Sequence, residues 1–174
     1  MQDSRSGNEG GAQERRRSLW IGALMVLLTT TAPYLTLLNA FFFSGILFSG
    51  ALATYLYIVR AQVRLPYGDA FFFGSLAGAA GAVLSAVVGY LLVSLAGYRP
   101  GIEGLMLLIR WMEVMAPDQS ALVGELRAIL EAPVQLSLAD LVFSLLLSVG
   151  MYAPVAGLGG VMAVWRLKRM AARS

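Results

Sequence analysis

The chain has 174 residues, of which 58% are hydrophobic and only 13% are charged, against roughly 25% in an ordinary soluble domain. This composition leaves too little polar surface to cover a water-soluble globule, and a formal charge of +3 is too weak to indicate nucleic-acid binding. Cysteine and histidine are both absent, which excludes disulfides, thiolate or histidine metal sites, cysteine nucleophiles and histidine acid–base chemistry.

Three long stretches carry no formal charge: residues 18–59, 70–98 and 141–165. Runs of this length predict membrane-spanning helices, because about 20 apolar residues cross the roughly 30 Å hydrocarbon core. We therefore predict an all-α integral membrane four-helix bundle in which residues 18–169 form one membrane domain. This prediction makes the lipid bilayer a partner of the protein.

The first stretch is long enough for two crossings. As a single helix it would measure about 63 Å at 1.5 Å per residue, so it must fold back on itself. Pro33 and Asn39 mark the reversal, which predicts spans at 19–35 and 39–59 joined by a tight turn, with Asn39 as an N-cap. The polar, glycine-rich residues 1–17 predict a disordered cytoplasmic tail.

The third span is predicted at 70–96. Asp69 lies where a carboxylate meets the positive end of the helix dipole, and the glycines and proline of residues 97–101 supply a stop. An amphipathic helical segment is predicted at 102–133, with a break near Pro117 and Asp118. It is either a lid, a docking surface or only a connector resting in the headgroups.

The fourth span is predicted at 138–165. It opens with Ser137 and Asp140 at capping-box spacing, with Asp in place of the usual Glu, and it ends before a basic tail at 170–174. Four spans place ten of the 13 basic residues on one side: Arg5, Arg15, Arg16, Arg17, Arg60, Arg64, Arg166, Lys168, Arg169 and Arg173. The positive-inside rule then predicts that both termini lie in the cytoplasm. We expect the membrane to be a bacterial inner membrane.

Small residues recur at spacings of three and four in two spans, and such stripes let helix backbones approach closely in lipid. They predict either packing within the chain or contact with a second copy or another membrane protein. The candidate packing residues are Gly45, Ser49, Gly74, Gly78, Gly81 and Gly89.

The fourth span contains a candidate hinge or ligand region. Pro154 removes one helix hydrogen bond and leaves the carbonyl of Gly150 without its usual donor, and Tyr152 needs a polar partner at this depth. Together with Gly157 these residues predict a bend or loosening. Broken helices occur in transporters, where freed carbonyls bind ions, although a lone proline is commonly just a kink.

The charged residues nearest the middle of a predicted span, Asp69 and Asp140, lie only at helix ends, where capping explains both. The absence of charge deeper in the spans removes most support for proton-coupled transport and intramembrane proteolysis. We therefore predict no catalytic residue, metal or cofactor, and a non-enzymatic protein that acts through helix packing, as a homo-oligomer or an accessory subunit. The alternative is a small transporter or channel using a break at Pro154. An enzyme acting on lipid through Glu103 or Glu113 is a third, weaker hypothesis.

The order of segments resembles a group of uncharacterised small bacterial membrane proteins. The resemblance rests on the run Tyr67–Phe72 followed by Gly74, on a proline-containing exit at Tyr98–Pro100, and on a last helix with a basic tail. It covers most of Leu19–Arg169 and implies four spans, but it supplies no activity and no site residues. The apolar outer segment departs from that pattern.

Overall fold

The computed structural model describes residues 3–40, 42–115, 120–132 and 137–173. This part of the chain is helical throughout, with 86% helix and no strands, which confirms the all-α prediction. The helices, in order, are α1 (Asp3–Thr31), α2 (Leu37–Ala40), α3 (Ser44–Ala61), α4 (Tyr67–Ala96), α5 (Ile102–Met115), α6 (Ser120–Glu131) and α7 (Leu138–Ala171).

Three of these helices, α3, α4 and α7, are long and apolar enough to cross a membrane. Helix α1 is different, because its uncharged part is only residues 18–31. Those residues rise about 21 Å at 1.5 Å each, less than the roughly 30 Å hydrocarbon core.

The four long helices pack together with alternating directions. Helix α4 makes its largest contact with α7, and α1 contacts both α3 and α4. Two contacts show the direction. The Thr30 and Ser85 hydroxyls of α1 and α4 are 2.7 Å apart. About two turns earlier in both helices, a Cβ atom added at Gly22 would lie 3.1 Å from the Cβ atom of Ala77. Helices α1 and α4 therefore run parallel.

The start of α1 differs from the predicted disordered tail. The helix is continuous from Asp3. Once a helix has nucleated, each further residue that becomes ordered adds one backbone hydrogen bond, so the polar residues can extend α1 without a new nucleation step. About three turns further along α1, Glu14 and Arg17 form an ion pair of 3.2 Å, and Arg60 at the end of α3 reaches the same carboxylate at 4.0 Å. Residues 1 and 2 lie outside the described range.

The first reversal is broader than the predicted tight turn. Helix α1 ends at Thr31 because Pro33 disfavours helical geometry at the preceding residue. Helix α3 does not begin until Ser44, after positive φ angles at Phe42 and Phe43. Asn39 is not the N-cap residue. It lies in α2, where its side chain donates to the Thr29 carbonyl at 2.9 Å and accepts from the α3 backbone at 3.3 Å.

The later boundaries follow the sequence prediction more closely. Gly97 ends α4 with φ of 63°, and the Tyr98 amide donates back to the Leu92 carbonyl at 3.1 Å. The Ser137–Asp140 capping box is present at the start of α7, with the Ser137 amide donating to Asp140 at 2.8 Å. The predicted break near Pro117 falls outside the described residues, and α5 and α6 flank it.

Two contacts bring the basic helix ends together. The Glu14–Arg60 pair joins the charged part of α1, just before its uncharged residues, to the end of α3. The Lys168 ammonium lies 4.1 Å from the centre of the Tyr67 ring, which joins the end of α7 to the start of α4. The charged part of α1, the end of α3, the start of α4 and the end of α7 therefore lie together at one end of the molecule, here called the basic end.

Candidate functional site

The predicted packing residues of α4 lie against other helices of the same chain. A Cβ atom at Gly78 would lie 2.6 Å from the Cβ atom of Ala156 and from the Tyr152 carbonyl oxygen, both in α7. Gly74 also faces Ala156, and a Cβ atom at Gly81 would overlap Val26 in α1. These glycines are required because no side chain fits between the helices.

The predicted packing residues of α3 face α1. A Cβ atom at Gly45 would lie 2.7 Å from Asn39 Oδ1 and 2.9 Å from Thr29 Cβ, and the buried Ser49 hydroxyl donates to the Gly45 carbonyl at 2.7 Å. Gly89 is the exception, since a Cβ atom there would meet nothing within 4 Å. The glycine seams are thus filled within the chain and leave no groove there for another helix.

The predicted hinge residues of α7 lie on different sides of an unbroken helix. Helix α7 is continuous through Pro154, which differs from the predicted loosening. Gly157 packs on Phe71 and Ser75 of α4, so its smallness serves close packing. Gly150 and Pro154 are exposed, and residues four apart share a helix face. The carbonyl that Pro154 leaves without a donor is therefore on the outer surface.

Tyr152 faces inward and lines a polar crevice between the outer halves of α1, α4 and α7. The crevice has a volume of about 260 Å³. An adjoining cavity of about 300 Å³, beneath α5, also has Tyr152 in its wall. We call the first of these two spaces, the 260 Å³ crevice, the hydroxyl crevice. The residues in its wall that carry hydroxyl groups are Thr30, Thr31, Ser85, Tyr90, Ser144, Ser148 and Tyr152.

The chemistry of the hydroxyl crevice is that of neutral hydrogen bonding. Thr30 donates to the Val26 carbonyl at 2.8 Å, and its oxygen is 2.7 Å from Ser85 Oγ. Asp140 is the lining carboxylate, and it is engaged by Ser137 in the capping box. The described residues hold no group of three or more acidic side chains that could bind a metal ion. This arrangement can bind a small polar molecule or water, but it offers no acid–base pair.

The serines of this crevice were missed at the sequence level, although a signal was present. Asp140, Ser144, Ser148 and Tyr152 follow one another at intervals of four, which is a single polar stripe on one face of α7. Such a stripe in an otherwise apolar helix indicates a surface that avoids lipid. Gly89, predicted as a packing residue, lies in the same crevice.

Comparisons of the chain with protein-family models, with curated proteins and with solved structures find no match. The resemblance drawn from Tyr67–Gly74 and Tyr98–Pro100 therefore stays a prediction, and the function must be inferred from the molecule's own surfaces.

Proposed function

We propose that this chain is a four-span protein of the bacterial inner membrane, with both termini in the cytoplasm, that acts without catalysis by associating with itself or with another membrane protein. The fourth crossing is α1, whose short uncharged part is extended by the apolar residues 32–43 of the reversal. The gathering of arginines at the basic end supports this orientation, because basic residues favour the cytoplasmic side.

The observation that carries the association is the outer face of α7. Leu146, Gly150, Pro154 and Leu158 follow one another at intervals of four and are all exposed. Phe143 beside them is 69% exposed. In hydrocarbon the Gly150 carbonyl has no water to replace its lost donor, which costs several kcal/mol unless it finds another. A second helix packed at Gly150 would supply close contact at a position where the chain itself supplies none.

The test replaces Gly150 by Leu. The added side chain meets no atom of the chain, so folding should be preserved while an approaching helix is blocked. Gly89→Leu is the matched control, since Gly89 is equally open but lies in the crevice. Leu146→Cys, in a chain with no native cysteine, reports proximity by thiol cross-linking in native membranes.

Cross-linking at residue 146, into a dimer or to one defined partner, should be abolished by Gly150→Leu and kept in Gly89→Leu. A chain that gives no cross-linked product at residue 146 in native membranes, or one whose products survive Gly150→Leu, would refute the proposal.

A second candidate function is binding or passage of a small polar solute in the hydroxyl crevice, which corresponds to the transporter alternative. It is favoured by the convergence of seven hydroxyl-bearing residues from three helices on one space. Ser148→Cys should then react with a membrane-impermeant thiol reagent from one side of the membrane. Leu147→Cys, its neighbour on the lipid-facing side, should not. Equal protection of both positions would exclude an aqueous path.

A further inference from the structure

A second groove runs along the outside of α3 and α7 toward the basic end. It has a volume of about 950 Å³, within the range of small-molecule sites in proteins. One end is apolar and the other carries three arginines: Arg166, Arg169 and Arg173. We call it the arginine groove, and its apolar walls include Leu47, Phe48, Leu52, Tyr55, Met162 and Trp165.

The three arginines are exposed and have no carboxylate within ion-pair distance in the described ranges. Arg166 and Arg169 are three residues apart on one face of α7, and Arg173 follows two residues after the helix ends. Arg169 lies 5.2 Å from the centre of the Trp165 ring, a cation–π distance that holds its guanidinium beside the groove. An uncompensated cluster of guanidinium groups beside an apolar channel has the chemistry of a binding site for a phosphate-bearing amphiphile.

The apolar part of the groove has the length for a hydrocarbon chain. From Tyr55 to Leu47 it extends about 12 Å at 1.5 Å per residue, close to the roughly 15 Å depth of one leaflet. Phe48 and Met162 line it and are 57% and 52% exposed. An acidic peptide or a free anion would satisfy the arginines but leave these side chains without a partner.

We propose that the arginine groove binds one anionic phospholipid, with its phosphate on Arg166, Arg169 and Arg173 and one acyl chain along α3 toward Leu47. This site is separate from the α7 face used in the proposed association, and it does not depend on the oligomeric state. Basic pockets between helices at a membrane surface recognise anionic headgroups in this way.

Lys168 provides the matched control. It lies in the same turn of α7 and carries the same charge, but it points to the other side, over the Tyr67 ring. A diffuse attraction between the basic end and an anionic surface would use Lys168 as much as its neighbours. A defined site would not.

The experiment titrates the purified full chain in mild detergent with phosphatidylglycerol or phosphatidylcholine and counts bound lipid by native mass spectrometry. One phosphatidylglycerol should be retained in preference to phosphatidylcholine. The double variant R166Q/R169Q should weaken phosphatidylglycerol binding about 30-fold, at roughly fivefold per arginine. The single variant Lys168→Gln should weaken it by less than about twofold. Ala163→Trp, which fills the groove and keeps the arginines, should also release the lipid. Helix content by circular dichroism checks that each variant is folded.

If Lys168→Gln weakens lipid binding as much as R166Q or R169Q alone, the binding comes from general surface charge, and the proposal is overturned. So would equal retention of both lipids by the unaltered chain. Binding that survives Ala163→Trp and is displaced by inorganic phosphate would show an anion site without a lipid chain, and it would also overturn the proposal.

Discussion

The close contact of α4 with α7 makes a sharp prediction about two glycines of the same helix. At Gly78 a methyl group would lie 2.6 Å from two atoms of α7, whereas ordinary contacts begin at about 3.4 Å, so the helices must separate by about 0.8 Å. One of those atoms is the Tyr152 carbonyl oxygen, which belongs to the backbone and cannot rotate away. At Gly89 the same methyl group would meet nothing within 4 Å.

The expected free energies follow from these distances. Overpacking a close-packed contact costs typically about 1–3 kcal/mol. Replacing a mid-helix glycine by alanine otherwise stabilises the helix by roughly 0.5–1 kcal/mol. Gly78→Ala should therefore destabilise the protein by up to about 2.5 kcal/mol, while Gly89→Ala should leave it unchanged or up to about 1 kcal/mol more stable.

The measurement is reversible unfolding by sodium dodecyl sulfate in mixed micelles, followed by circular dichroism, with both variants treated identically. The quantity compared is the difference between their unfolding free energies, which cancels effects common to the two substitutions. Opposite signs are expected. If Gly78→Ala and Gly89→Ala shift the free energy of unfolding in the same direction and by similar amounts, then α4 does not pack on α7 through Gly78.

Three further predictions concern side chains that tie segments together. Asn39→Ala should lower the free energy of unfolding by about 1–3 kcal/mol in the same assay, because one amide holds both α1 and α3, whereas Gln62→Ala, which removes one exposed bond, should have almost no effect. Arg99→Gln should speed hydrogen exchange in α6, because the guanidinium donates to two carbonyls at its end, and unchanged exchange would remove this role. Burial and the neighbouring Glu103 carboxylate raise the pKa of Tyr98, so Glu103→Gln should lower that pKa toward its ordinary value. The measurement is phenolate absorbance as a function of pH. Subtracting the titration of the same chain carrying Tyr98→Phe isolates the contribution of Tyr98 from the other tyrosines.

Features governed by short-range chemistry were predictable from the sequence. The helix stop at Gly97 and the capping box of Ser137 with Asp140 depend on neighbours within a few residues, and the structure confirms both. The sequence predicts that the third span begins at Ala70, whereas helix α4 begins at Tyr67. Pro66 provides the extended backbone before it, and proline is well tolerated at helix starts.

Features that depend on distant neighbours were not predictable. Asn39 has the residue type of a cap, but only the path of α2 lets its side chain reach α3 seven residues later. The glycines of α7 suggested a loosened helix, because nothing in the local sequence shows that α3 and α4 press against them. In the structure Gly160 faces Ala70 and Thr54, so its lack of a side chain is explained by packing.

The two faces of α7 also separate the two candidate functions. A transporter that used the Pro154 break would need the freed carbonyl to point into an aqueous space, yet Pro154 lies on the exposed face, while Tyr152 and Ser148 line the crevice. A solute in the crevice would therefore meet hydroxyl groups and the Asp140 carboxylate rather than the Gly150 carbonyl. The Gly150 carbonyl, which the missing N–H of Pro154 cannot bond, lies on the face used in the proposed association. The proposed association at Gly150 and the proposed solute binding at Ser148 therefore use different faces of α7, and we expect Gly150→Leu to leave thiol reactivity at residue 148 unchanged.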